Sequence, residues 1–278
     1  MNSSVVTTGV SLLAIVSIFL TSCDKSDGGK TVEFEVKKPG STEEKSEQAP
    51  SESSTEADAE RSPPRNLSWT PPLPEEMEPM PTVYVPVEGF PARGASADEA
   101  LVTIVEFGDY GCPDTHARVG LVQKVLDEYG DEVRFVYRNL VWVPGDYGPF
   151  AADLAQAAKA SDAYWAAYDL IWEDFRNLEQ KGREYYLDEL ELSAEDLDAH
   201  SDEAEAATKR NQKFAEEHNV QWVPTFFVNG IPAVKVSDEQ FIELVELQIT
   251  KAREIRDKTE QSGDKLYRAA VEANQADK

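Results

Sequence analysis

The stretch Glu106-Phe-Gly-Asp-Tyr-Gly-Cys112-Pro-Asp-Thr115 follows directly on a β-branched run, Leu101-Val-Thr-Ile-Val-Glu-Phe107, and leads into a segment of helical periodicity from Thr115 to Tyr129. Val119, Val122, Val125 and Leu126 supply the three- and four-residue spacing of a buried helical stripe, and Gly130 stands where such a helix stops. Val133-Arg-Phe-Val-Tyr-Arg138 is then a second β-branched run. Strand, helix, strand in that order, with a crossover of this length, predicts a parallel pair. The loop therefore delivers Cys112 to the start of a helix, where unpaired N–H groups and the positive end of the dipole favour thiolate over thiol.

Working outward, Pro149 opens a helix predicted to run to about Arg176, with Trp165, Tyr168, Trp172 and Phe175 as a core-facing aromatic stripe. Ser193 with Asp196 and Ser201 with Ala204 following suggest further helices, ending near Asn219. Thr225-Phe-Phe-Val228, Asn229-Gly230 and the run from Pro232 to Val236 read as a hairpin. Ser237-x-x-Gln240 reads as the capping box of a closing helix, with helical composition again from residue 258 to 278. Val223-Pro224-Thr225 brings a proline into a strand, which suits an edge or a cis turn near the thiol.

These residues together resemble the DsbA-like branch of the thioredoxin superfamily, from about Val83 to Leu247. The resemblance rests on the Val-Glu-Phe strand before the cysteine, on Cys112-Pro113, on Phe135-Val-Tyr-Arg138, on the Ala-rich stretch from Ala151 through Trp165, and on Val223-Pro224-Thr225-Phe-Phe-Val-Asn-Gly230. It implies an α/β thioredoxin fold with a helical insertion at about residues 140–220, a cis Pro224 bordering a substrate groove with Pro113, Asp114 and Val223, and Glu106 as a buried acid that assists proton transfer. It further implies thiol–disulfide oxidoreductase or isomerase activity on extracytoplasmic proteins or peptides, without a cofactor. The departure is equally specific, because the second cysteine of Cys-x-x-Cys is here Thr115. What remains is a monothiol reaction: Cys112 attacks a substrate disulfide, Thr115 is a neutral hydrogen-bonding stand-in, and an external thiol must release the mixed disulfide. Asp114, with Asp109 nearby, works against activation through like charge. The competing expectation is a redox-silent peptide-binding or chaperone protein that keeps Cys112 as a small half-buried residue.

The amino terminus accounts for the other cysteine. Residues 9–20 are an uncharged apolar run followed by Leu20-Thr21-Ser22-Cys23, which resembles a bacterial lipobox, although residues 1–8 hold no Lys or Arg. The expected organisation is a lipoprotein signal peptide over 1–22, an acidic Pro/Ser/Glu-rich disordered tether over 23–80, the thioredoxin-fold domain over 81–257 and a helical extension over 258–278. Cys23 would be lipidated, anchoring the chain to a membrane of the bacterial envelope and facing the periplasm or exterior.

Composition closes off other classes. With 53 acidic against 27 basic residues, the formal charge of −26 repels nucleic acid. Two cysteines and the scattered His116, His200 and His218 predict neither a disulfide framework nor a metal site. His116 is expected on the solvent side of the first helical turn, and His200 and His218 on helix surfaces.

Overall fold

The computed structural model describes residues 79–175 and 177–277; the expected signal peptide, Cys23 and nearly all of the expected tether lie outside the described residues. In chain order the elements are β1 (Ala92–Gly94), β2 (Val102–Gly108), α1 (Pro113–His116), α2 (Val119–Tyr129), β3 (Val133–Asn139), α3 (Tyr147–Lys159), α4 (Tyr164–Glu173), α5 (Leu178–Lys181), α6 (Arg183–Glu189), α7 (Ala194–Glu217), β4 (Thr225–Val228), β5 (Ile231–Ala233), α8 (Asp238–Thr259) and α9 (Gly263–Ala276). The sheet order is β1-β3-β2-β4-β5. β2 and β3 run parallel, with Glu106 opposite Tyr137, as the strand-helix-strand reading predicts. β4 lies antiparallel on the other side of β2, and β5 pairs with it through a turn at Asn229 and Gly230, both at positive φ.

β2 is central and buried along its whole length, so its residues are apolar on both faces apart from Thr103 and Glu106. One face carries Val102, Ile104, Tyr137, α2 and the aromatic residues of α4; the other carries Val105, Phe107, Phe214, Phe227 and α9's Tyr267 and Val271. The helices α3 to α7 stand between β3 and β4 in the chain, which is the expected helical insertion. Within it Tyr168 and Trp172 are buried and Trp165 and Phe175 pack against the core, so the aromatic stripe is structural.

Four details differ from the sequence reading. The helix expected from Thr115 to Tyr129 is two helices, broken after His116, with Arg118 at the break bonded to Asp238 and to the Val236 carbonyl. The helix expected from Pro149 to Arg176 is likewise two, because Asp162 takes a left-handed φ of 57° between α3 and α4. Ser201 caps nothing and lies inside the continuous α7, whose capping box is the Ser193–Asp196 pair. β1, paired antiparallel with β3, has only three residues, Ala92-Arg-Gly94, too short a run to mark a strand in the sequence. The boxes at Ser193 and Ser237 both form, the latter opening α8. α9 then folds back on α8, where Asn274 exchanges two hydrogen bonds with Gln248 and donates to the Asn229 carbonyl.

Candidate active site

β2 ends at Gly108, and Asp109-Tyr110-Gly111 turns the chain so that Cys112 becomes the N-cap residue of α1. The turn is held by its own backbone: Cys112 N donates to Asp109 O at 2.9 Å and His116 N donates to Cys112 O at 3.1 Å. Pro113 follows at the first helical position, where its missing N–H costs nothing. Cys112 is a free thiol, 7% exposed. Its Sγ lies 3.9 Å from the Val223 carbonyl oxygen, and the Val223–Pro224 peptide bond is cis. The structure thus brings Cys112, Val223 and Pro224 together at the carboxyl end of the central strands. Because α1 is a single turn before its break, the aligned peptide dipoles behind the thiol are fewer than a continuous helix to Tyr129 would supply.

Thr115 is 1% exposed, and its Oγ1 accepts a hydrogen bond from Asp109 N at 3.3 Å. The hydroxyl oxygen therefore fastens helix to strand, and among the described contacts none joins it to Sγ. Glu106 is also 1% exposed; burial raises its carboxyl to about 8, against a smaller lowering by the Arg118 charge. It is thus largely neutral at pH 7. Glu106 and Gly108 share one face of β2, and a β-carbon at Gly108 would stand 2.7 Å from Thr115 Cγ2 and 2.9 Å from the Tyr137 hydroxyl. Cys112 packs instead in the cluster of the opposite face, with Phe107 and Val223. The buried acid therefore sits on the Thr115 side of the strand, away from the thiol's own cluster.

Beyond the thiol opens a cleft of about 350 Å³. Asp114 and Pro224 line it, as expected of the groove, together with Arg118, Leu121, Trp222 and Phe226. Lys235 lies at its rim with the ammonium 3.3 Å from the centre of the Trp222 ring. Pro113 is exposed beside the cleft, while Val223 is buried and contributes its carbonyl. His116 is exposed as expected, yet its ring stacks on Phe175 at 4.5 Å, tying α1 to the end of α4.

The residue that sequence reasoning undervalued is Asp109. It is fully buried, its Oδ1 accepts from Gly111 N at 2.7 Å, and its Oδ2 accepts from Trp142 N and Val143 N at 2.6 Å each. The signal that could have found half of this is Asp109-x-Gly111, the pattern of an Asx turn. Among the described residues no group of three or more His, Cys, Asp or Glu side chains is placed to hold a metal ion.

Comparison with known proteins agrees with this geometry. The family model described as Thioredoxin matches residues 91–247. The chain belongs to the thioredoxin family. Within this thioredoxin-family chain, the helices inserted between β3 and β4 give the DsbA-like arrangement. A Na(+)/H(+) antiporter NhaA 3 from Salinispora tropica is 31% identical over 151 residues, which is 53% of this chain and 23% of that protein. The chain thus spans about a quarter of the antiporter's length. A probable disulfide bond formation protein D from Bacillus anthracis is 28% identical over 155 residues, 48% of this chain and 67% of that protein. Among solved structures, a thioredoxin-like oxidoreductase from Silicibacter pomeroyi superposes with a TM-score of 0.50 and 26% identity, covering 60% of this chain and 94% of its own. Oxidised BdbD from Bacillus subtilis, at 22% identity, shares the fold with a TM-score of 0.52 over 63% of this chain and 98% of its own.

Proposed function

We propose that this protein performs thiol–disulfide exchange on extracytoplasmic proteins with Cys112 as its one working thiol, held at a membrane by a lipid on Cys23. The observation that carries the reading is the placement of Cys112: a free thiol at a helix start, against the carbonyl that precedes a cis proline, whose ring lines the neighbouring cleft. The similarity to a thioredoxin-like oxidoreductase and to a probable disulfide bond formation protein supports the same chemistry. In the reaction the Cys112 thiolate attacks one sulfur of a substrate disulfide, forming a mixed disulfide and expelling the other sulfur as a thiolate that takes a proton from solvent. An external thiolate then attacks the substrate sulfur, restoring the Cys112 thiolate and leaving a new disulfide between substrate and external thiol. No net oxidation of this chain occurs. Glu106, buried and largely neutral at pH 7, lies on the face of β2 opposite the cluster that holds Cys112.

The test uses protein with Cys23→Ser, which leaves Cys112 as the single thiol. A peptide disulfide is expected to yield a mixed disulfide at Cys112 by mass spectrometry, faster than with a free cysteine peptide, and Cys112→Ser is expected to abolish it. Metabolic labelling with a fatty acid is expected on wild type and lost in C23S. A thiol that reacts only after unfolding would instead favour the redox-silent, peptide-binding alternative, whose supporting observation is the burial of Cys112.

A further inference from the structure

A second, smaller cavity, of about 40 Å³, lies where the inserted helices α3 and α7 meet the end of β3, and it shares no lining residue with the cleft beside the thiol. That volume is room for roughly three water molecules, or for one anion of about four heavy atoms. The charge of its wall runs against the rest of the chain. In a protein of formal charge −26, the lining holds Lys159 and Arg210 and neither Asp nor Glu. Lys159 is paired with Glu203 at 3.3 Å, whereas Arg210 is exposed and forms no ion pair among the described residues.

A further cation sits behind this wall. Arg138 is 4% exposed; its Nε donates to Asn211 Oδ1 at 2.8 Å, its Nη1 donates to the Pro86 carbonyl at 3.3 Å, and its guanidinium packs among the rings of Phe90, Phe107 and Phe214 at 4.7, 4.7 and 5.0 Å. Asn211 and Phe90 are themselves part of the cavity lining. Burial draws the guanidinium down to about 10, and the like charge of Arg210 pulls the same way. Arg138 is therefore still charged at neutral pH, and no carboxylate among the described residues pairs with it. A buried charge in this position is costly unless something supplies the opposite sign.

Hydrogen bonding at the same spot is incomplete. Among the described residues, the buried asparagines Asn211, Asn229 and Asn274 each use both ends of the side-chain amide. Asn139, in the cavity wall, uses neither: its Nδ2 and Oδ1 are both shut off from bulk water without a partner, as is the hydroxyl of Tyr137, another cavity residue, only 1% exposed. Native packing rarely leaves such groups unmet. An amide offers a donor and an acceptor side by side, so the group that completes Asn139 both accepts and donates along one edge.

A ligand that meets all of this is small, carries negative charge and keeps a proton. We propose that the cavity binds hydrogencarbonate, its charge balanced by Arg210 and Arg138, with one oxygen accepting from Asn139 Nδ2 and its O–H donating to Asn139 Oδ1. The site is independent of the thiol reaction.

The experiment titrates the isotopically labelled full chain with sodium hydrogencarbonate and, separately, with sodium nitrate, which has the same planar shape and charge but no proton to donate. Sodium chloride holds the ionic strength constant, and one slightly alkaline pH keeps hydrogencarbonate the dominant species. The side-chain amide resonances of Asn139 are expected to move along a saturating curve with hydrogencarbonate and to need about tenfold more nitrate, the discrimination of one hydrogen bond to an ion. Arg210→Glu is expected to weaken hydrogencarbonate about tenfold or more, while Lys209→Glu, the same charge change one residue away and outside the cavity lining, keeps the affinity within about twofold. Asn139→Leu, followed at the side-chain amide of Asn211, is expected to erase the preference over nitrate; should that variant fail to fold, the comparison of the Arg210 and Lys209 variants still decides. Shifts that rise linearly with both salts, equal affinity for the two anions, a preference that survives Asn139→Leu, or equal losses in the Arg210 and Lys209 variants overturn the proposal, the cavity then holding water alone.

Discussion

Glu106 carries a measurable consequence at the scale of a single residue. Its carboxyl is raised by burial from the ordinary glutamate value of about 4.5 to about 8 in the folded protein, so between those values the native state holds a proton that the unfolded chain gives up. Stability from this residue is therefore fully present below about pH 4.5 and is lost as pH rises to 8, with a slope of ~1.4 kcal/mol per pH unit. Glu106→Gln keeps the shape and cannot ionise. Denaturant unfolding at several values between pH 5 and 9 is expected to show the wild type falling more steeply than E106Q by about that slope, with the variant the more stable above pH 7. Parallel curves would mean that the carboxylate finds solvent in the folded state. The place of the thiol was legible in the sequence, because a strand, a tight loop and a helix start fix it within ten residues; the buried acid was legible through the family resemblance alone. The clamp made by Asp109 was not. Two of its three partners are backbone N–H groups more than 30 residues downstream, and a backbone N–H leaves no mark in the choice of side chain.

Elements meet closely where β2, β3 and α1 converge, and glycine permits it. A β-carbon on Gly108 would stand 2.6 Å from Tyr137 Cε2 and 2.7 Å from Thr115 Cγ2, whereas one on Gly120 in α2 meets nothing within 4 Å. Gly108→Ala is expected to destabilise by about 2 kcal/mol or more through overpacking, and Gly120→Ala to stabilise by about 0.5 to 1 kcal/mol through helix propensity; urea unfolding of the two variants checks both signs. Ser237→Ala is expected to cost about 1 kcal/mol by the same measurement, because it removes one half of the box that opens α8. Such boxes are visible in sequence since both partners lie three residues apart. Breaks within helices are not: the stripe Val119, Val122, Val125 and Leu126 continues in phase with Thr115, and what interrupts it is Arg118 reaching across to the start of α8. The three residues of β1 were equally silent, their strand character being conferred by the edge of β3 against which they lie.

Across the whole molecule, the helix that lies outside the matched family region, α9, fastens the segment that enters the fold. The Tyr267 hydroxyl donates to Val85 O and accepts from Val85 N, Gln275 donates to Thr82 O, Arg134 bonds Asp264, and Arg268 stacks on Tyr84 at 3.7 Å. Removing residues 261–278 strips these bonds and uncovers Val85 and the Asn229 carbonyl. The truncated protein is expected to lose hydrogen-exchange protection over residues 82–90 and at Thr103, with a global loss of several kcal/mol as the Tyr267 and Val271 packing disappears. Retention of protection there would show that the entering segment is held by the sheet alone. Composition announced a helix in this region, but its docking depends on long-range pairings that no local pattern encodes.

The same segment sets a direction. Val83 N donates to Gly230 O at the turn between β4 and β5, beside the beginning of β2, while Cys112 follows that strand's far end; the strand between them is roughly 20 Å long at ~3.3 Å per residue. The chain therefore comes into the fold at one pole and places its thiol near the other. Were the domain held by a lipid on its amino-terminal side, as proposed, the thiol would lie on the leading surface, and an incoming disulfide could be met and released without passing the anchored pole.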